Sequence, residues 1–173
     1  SRGARVTLIT TVDLPLPVGV RPVCVETAAQ MQLALDGVKE SADVIVMAAA
    51  VADFRPVECR PSKIKKADGV PEVLLEPTPD ILAGLGATKR AGQVLVGFAA
   101  ETSDLVANAQ SKLERKNLDL IVANDVSQPG VGFQHDTNAV TFLRPGQALE
   151  SHPLSDKRDV ARALLDIVVG LLG

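Results

Sequence analysis

Tryptophan and tyrosine are absent, and only four phenylalanines stand among the 173 residues. Binders of single-stranded nucleic acid stack bases on aromatic rings, so that class has little to work with here. Lysine and arginine total 18 against 21 aspartates and glutamates, a formal net charge of −3, with no long basic run to follow a phosphate backbone. No apolar run approaches the ~20 residues of a membrane-spanning helix. The opening residues SRGARVTLITT also lack the basic, apolar and cleavable order of a secretory signal. Cysteine is nearly absent: Cys24 and Cys59 are isolated and form neither a CxxC pair nor a disulfide framework. Together these absences predict a cytoplasmic protein with no nucleic acid or membrane among its partners.

What remains is an apolar content of 46%, enough for one ordinary globular domain over residues 1–173 with a core of its own. The chain is organised around Asp43 to Lys66, DVIVMAAAVADFRPVECRPSKIKK. Val44 to Met47 are a continuous apolar run of strand length, the pattern of a buried strand in a parallel sheet. Ala48, Ala49 and Ala50 follow, and side chains without bulk let a flat ligand come close. In open α/β sheets ligands bind outside the carboxyl ends of the strands. Asp53 then stands where a carboxylate can accept hydrogen bonds from ribose hydroxyls. Ten residues on, Lys63, Lys65 and Lys66 put three cations on a loop bounded by Pro56, Pro61 and Gly69, suited to a polyphosphate. By spacing alone, Asp53 can equally cap a turn and the lysines can be a solvated charge run.

Around this stretch the pattern alternates strand and helix, which predicts an α/β fold: a Rossmann-like, mostly parallel sheet with helices on both faces and a C-terminal hairpin and helix. Arg5 to Thr11 reads as a strand, and Asp13 to Pro22 as a proline-broken loop. Domains of this kind usually begin with a strand, a glycine-rich turn and a helix, so an N-terminal strand and helix are expected upstream of Ser1. Thr27 caps a helix to about Gly37, its stripe formed by Ala28, Met31, Leu35 and Val38. Val73 to Glu76 is strand-like. Thr78-Pro79-Asp80-Ile81 has the cap, proline and acid of a helix start, either good capping chemistry or a polar-group site.

Val94 to Ala100 (VLVGFAA) is a second buried strand, in which Phe98 can be core or can stack on a base. The helix of about Ser103 to Lys116 has Leu105, Val106, Ala109 and Leu113 as its buried stripe. At 100° per residue, Lys112 and Lys116 fall about 20° either side of Leu105, on that same inward face. They can snorkel outward or meet an anionic ligand. Leu118 to Ala123 is a third buried strand, followed by Asn124 and Asp125, which can order a turn or hold a metal or polar ligand. His135 reads as surface. Ala139–Leu143 and Leu149–Leu154 form a hairpin around Pro145-Gly146. Asp156 to Leu172 closes the chain as an amphipathic helix.

Taken in order, AAAVADF (48–54), KIKK (63–66), PTPDIL (77–82), GFAAET (97–102) and KNLDLIVANDV (116–126) resemble phosphopantothenoylcysteine synthetase, the coenzyme A pathway ligase, in its CTP-using bacterial form. The resemblance implies that Ala48, Ala49 and Ala50 line the nucleotide, with Asp53 on the ribose. It implies that Lys63 engages the triphosphate and assists the chemistry. Pro79, Asp80, Ile81, Leu82 and Phe98 would wall the CTP pocket, and Lys112 and Lys116 would complete its cationic side. Magnesium would accompany the triphosphate, with no protein ligand assignable. The implied partners are CTP, 4'-phosphopantothenate and cysteine, a second copy in a homodimer, and a decarboxylase domain in the full-length protein.

The family pattern includes an upstream strand, a glycine- and serine-rich segment and an asparagine that no residue here matches, so the expected chain is the CTP-binding part of the synthetase, with its phosphopantothenate site incomplete. Two other classes fit the sheet: a nicotinamide-dependent reductase, whose glycine fingerprint after a first strand is not present in these residues, and a non-catalytic nucleotide-binding or dimerisation module.

Overall fold

The computed structural model describes residues 2–13, 15–58, 62–63, 65, 70–101, 104–125 and 135–173, without the side chains of residues 101 and 125. They form two compact units, Ser1–Leu35 with Ala50–Asp80, and Asp36–Ala49 with Ile81–Gly173.

In the first unit, β1 (Val6–Thr10) pairs in parallel with β2 (Val20–Cys24). The sequence predicts a loop through Pro22, yet Pro22 lies within β2, opposite Leu8. A proline removes one ladder donor, and a two-stranded pair has an outer edge on which that donor is not needed. Helix α1 begins at Ala28. The Thr27 hydroxyl accepts from the Gln30 amide, and the Gln30 side chain accepts in return from the amides of Glu26 and Thr27. This reciprocal capping fixes the start predicted from Thr27; Met31 and Leu35 are its buried positions. The unit also holds an antiparallel ribbon, β4 (Phe54–Pro56) with β5 (Leu75–Pro77). Of its strands the sequence predicts only the second, two residues early.

The second unit is a five-stranded sheet. β3 (Val44–Met47), β6 (Val94–Glu101) and β7 (Leu120–Asp125) run parallel, and β8 (Thr137–Leu143) and β9 (Glu150–Asp156) follow antiparallel, in the order β3-β6-β7-β8-β9. The mixed α/β sheet and the terminal hairpin match the expectation. Alternate residues of the buried strands point to opposite faces. Val94, Val96, Leu120, Val122, Val140 and Phe142 form one core with Val160, Leu164 and Val168 of α4 (Lys157–Leu172). Each of these large side chains contributes about 2 kcal/mol by leaving water. On the other face lie α2 (Ile81–Ala87) and α3 (Leu105–Arg115), the latter burying Ala109 and Leu113. Val106, expected in that stripe, is 41% exposed. Asp156 caps α4 through the Arg158 amide at 2.7 Å.

Two glycines admit close approach. A Cβ on Gly97 would stand 2.8 Å from Leu118 Cδ1 and 3.0 Å from Leu82 Cδ2. A Cβ on Gly86 would overlap the Lys116 carbonyl oxygen. Neither site tolerates a side chain without movement, so α2 can lie directly on β6 and on the end of α3.

Candidate nucleotide site

The residues singled out in the sequence fall in both units, and each unit brings some of them together. In the first, the β4–β5 ribbon pairs Phe54 with Pro77, and the Thr78 amide donates to the Asp53 carbonyl at 2.8 Å. Residues 25 apart in sequence are thereby neighbours: Asp53 stands beside the Thr78-Pro79-Asp80 segment. The Arg55 Nε donates to Glu76 Oε1 across the ribbon at 2.7 Å, both side chains half-exposed. Such an exposed pair contributes at most about 1 kcal/mol. The Val57 amide donates to Leu74 O at 3.0 Å, closing the base of the excursion that carries Lys63. A groove of about 410 Å³ opens there between Val57–Glu58 and Pro71–Leu74, with Ser62, the neighbour of Lys63, on its rim. Ala50, Asp53, Lys63, Pro79 and Asp80 are exposed. Ile64 and Lys66 of the KIKK stretch, and Cys59, Pro61 and Gly69, lie outside the described residues.

The second unit supplies the strand ends. Met47 pairs with Gly97, so Ala48 and Ala49 follow β3 at the level where β6 reaches Phe98. Both alanines are exposed. Phe98 shares the face of Val94 and Val96, which are 3% and 0% exposed, yet it is itself 36% exposed and lies outside the core they form with α4. Of its two sequence readings, core or open ring, the structure gives the open ring. Val46, on the same face opposite Val96, is 43% exposed. Leu82 packs toward Gly97 and so lies on the opposite face of β6 from Phe98. Leu82 and Phe98, both expected in the wall of the pocket, therefore face opposite sides of β6. Ile81 is 3% exposed, so a ligand contact from it would come through its backbone.

The helix α3 returns the chain from the carboxyl ends to the amino ends of the strands. Its last turn closes with the Lys116 amide donating to Lys112 O at 3.0 Å, and the Asp119 amide donating to Leu95 O starts the next strand at the same spacing. Lys116 thus has its backbone at the amino edge, and Lys112 stands one turn nearer the carboxyl ends. Helical side chains lean toward the helix N-terminus, which directs both lysines away from the amino edge. Both are half-buried, consistent with their place on the inward face. The predicted helix start at Ser103 and most of the loop 126–137 lie outside the described residues, as does the Asp125 side chain; His135 is exposed as expected.

Sequence reasoning missed the ribbon that joins Asp53 to Thr78, and a polar cluster made by Lys89, Asn117 and Asp119. The available signal for the latter was an acid flanked by leucines in Leu118-Asp119-Leu120, where a buried strand begins. Among the described residues, no group of three or more His, Cys, Asp or Glu side chains is placed to hold a metal ion, and no helix is long and apolar enough to cross a membrane.

Comparison with known proteins gives this geometry a context. The chain is 45% identical over 172 residues to the coenzyme A biosynthesis bifunctional protein CoaBC of Bacillus subtilis (strain 168), covering 98% of this chain and 42% of that protein. It is 40% identical over 177 residues to a cysteine/cysteine sulfinic acid decarboxylase of an unknown prokaryotic organism, covering 98% of this chain and 48% of that one. It therefore spans less than half the length of these relatives. Its structure resembles the crystal structure of the C-terminal domain of a CoaBC protein, with a TM-score of 0.81 at 36% identity, over 98% of this chain and 76% of that one. Residues 1–171 match the DNA/pantothenate metabolism flavoprotein C-terminal domain, and the chain belongs to that family.

Proposed function

We propose that this chain is the CTP-binding part of a phosphopantothenate-cysteine ligase acting in coenzyme A biosynthesis. The observation that carries the reading is the half-open ring of Phe98 beside the bare alanines Ala48 and Ala49 at the carboxyl ends of β3 and β6. A parallel sheet offers its ligand site at that edge, and an exposed ring there can stack on a nucleobase. Asp53 and the Thr78-Pro79-Asp80 segment, held together by the ribbon, would serve the ribose and the pocket wall. The exposed Lys63 would meet the triphosphate, and Lys112 and Lys116 its remaining charge. Family membership and the similarity to CoaBC proteins support the assignment.

A carboxylate is a poor acyl donor because oxide is a poor leaving group. In the proposed reaction a carboxylate oxygen of 4'-phosphopantothenate attacks the α-phosphorus of CTP, and pyrophosphate leaves. The amine of cysteine then attacks the carbonyl carbon of the acyl-cytidylate, loses a proton and expels CMP. The protein's part is to align the reacting groups and to neutralise charge as it moves onto pyrophosphate. Lysines suit that task, and Lys63 is the residue assigned to it. Magnesium enters with the triphosphate, held chiefly by phosphate oxygens, and no protein ligand is assigned to it. In this reading the active protein is a cytoplasmic homodimer carrying a decarboxylase domain as well, and this chain alone binds CTP without full turnover.

The test is calorimetric titration of the protein with CTP, ATP and NADPH, each with magnesium. Selective binding of CTP is expected. Preference for ATP would remove the CTP assignment, and binding of NADPH in place of CTP would favour a reductase on the same sheet.

A further inference from the structure

Outside the residues assigned to the nucleotide, one cluster joins α2 to the end of α3, the helix that carries Lys112. The Lys89 ammonium donates to the Asn117 carbonyl at 2.9 Å and to Asp119 Oδ1 at 2.8 Å. The other carboxylate oxygen of Asp119 accepts from the Leu95 amide at 2.7 Å. Asn117, with φ of 50°, turns its side-chain amide onto the Gly86 carbonyl at 2.9 Å. The Lys116 carbonyl presses on Gly86 itself, where no side chain fits. The lysine and aspartate side chains are only 13% and 29% exposed. An ion pair so placed is held by geometry and is costly to break from one side.

The partners come from four elements. Gly86 is at the end of α2, Lys89 follows α2, Leu95 is in β6, Lys116 and Asn117 end α3, and Asp119 leads into β7. We infer that Lys89, Asn117 and Asp119 are positioning residues: they lock the end of α2 to the end of α3 and so fix Leu82, Lys112 and Lys116 relative to one another. The inference rests on the proposed function for its ligand, because Lys112 and Lys116 are assigned there to CTP. None of the three clamp residues touches the nucleotide in this account. They sit at the amino edge of the strands, and act through the helices.

Lys89→Met breaks the ion pair while keeping the stem, and Lys89→Arg retains a cation. Asp119→Asn keeps an acceptor for the Leu95 amide and removes the charge. Two readouts decide. In the ligand-free protein, hydrogen exchange followed by mass spectrometry should quicken in residues 81–87 and 105–115 for Lys89→Met and Asp119→Asn, but not in β8, β9 or α4. In calorimetry, the same variants should lose roughly tenfold in affinity for magnesium CTP while affinity for cytidine changes less than twofold, and Lys89→Arg should recover most of the loss. A residue that merely holds the fold would shift both ligands alike. Unchanged exchange in α2 and α3, or an equal loss for CTP and cytidine at matched folded fraction, overturns the inference. Wild-type protein that binds no CTP sinks the functional reading; faster exchange confined to α2 and α3 would still establish the lock between the helices.

Discussion

Two glycines in one short helix should respond in opposite directions to the same substitution. Gly84 is exposed on α2, and a Cβ there meets nothing within 4 Å. Gly84→Ala therefore gains the helix propensity and the loss of unfolded-state freedom that alanine brings, about 0.5–1 kcal/mol. Gly86 gains the same term but places its methyl on the carbonyl oxygen of Lys116. That atom is backbone, held by the hydrogen bond that the Asn117 side chain donates to the Gly86 carbonyl and by the start of β7, and it cannot rotate away as a side chain could. Overpacking costs about 1–3 kcal/mol in general, and a backbone obstacle puts this case at the upper end. A 1 kcal/mol change moves the midpoint by about 2–4 °C in a protein of this size, so Gly84→Ala should rise by roughly 1–4 °C and Gly86→Ala fall by roughly 4–10 °C. Thermal and urea unfolding followed by circular dichroism measure both. Equal shifts of the same sign would refute the claim that α2 seats directly on the end of α3.

Phe98→Ala should weaken CTP binding by roughly 5- to 100-fold, the range of one base-ring stack, while the midpoint moves little because the ring is already partly open; calorimetry and thermal unfolding together decide, and unchanged affinity removes the stacking role. Lys63→Ala should lower CTP affinity about tenfold with a stability change within about 0.5 kcal/mol, as for other exposed loop side chains; equal loss of stability and binding would defeat the triphosphate role. Asp53→Asn should reduce affinity for CTP more than for its 2'- and 3'-deoxy analogues, measured in the same titrations, and an identical loss for all three would rule out contact with the ribose.

The buried strands were legible in the sequence because their signal is local. Val44 to Met47, Val94 to Ala100 and Leu118 to Ala123 are continuous apolar runs, and the structure turns each into a parallel strand within two residues of the expected bounds. The terminal hairpin followed from Pro145-Gly146, and α4 from its stripe and its Asp156 cap. The ribbon was not legible. The three residues Phe54–Pro56 have no pattern of their own, and they are a strand only because Leu75–Pro77, some twenty residues away, pairs with them. Pro22 misled for a similar reason: the rule against proline in strands weakens where a strand has a free edge. Periodicity placed Val106 on the wrong side of α3, and residue type alone left Phe98 ambiguous, because whether a strand position falls inside the core is a tertiary fact. Lys112 and Lys116 were visible as charges on an inward face; the Lys89–Asp119 pair that locks their helix was not, since its partners are 30 residues apart.

The central claim is that CTP occupies the carboxyl ends of β3 and β6. Hydrogen exchange with and without saturating magnesium CTP tests it most directly. The account predicts slower exchange in residues 48–53, 80–82 and 98–100, with β8, β9 and the end of α4 unchanged. Protection confined to the β8–β9 hairpin, or none at all under conditions where calorimetry registers binding, would contradict it.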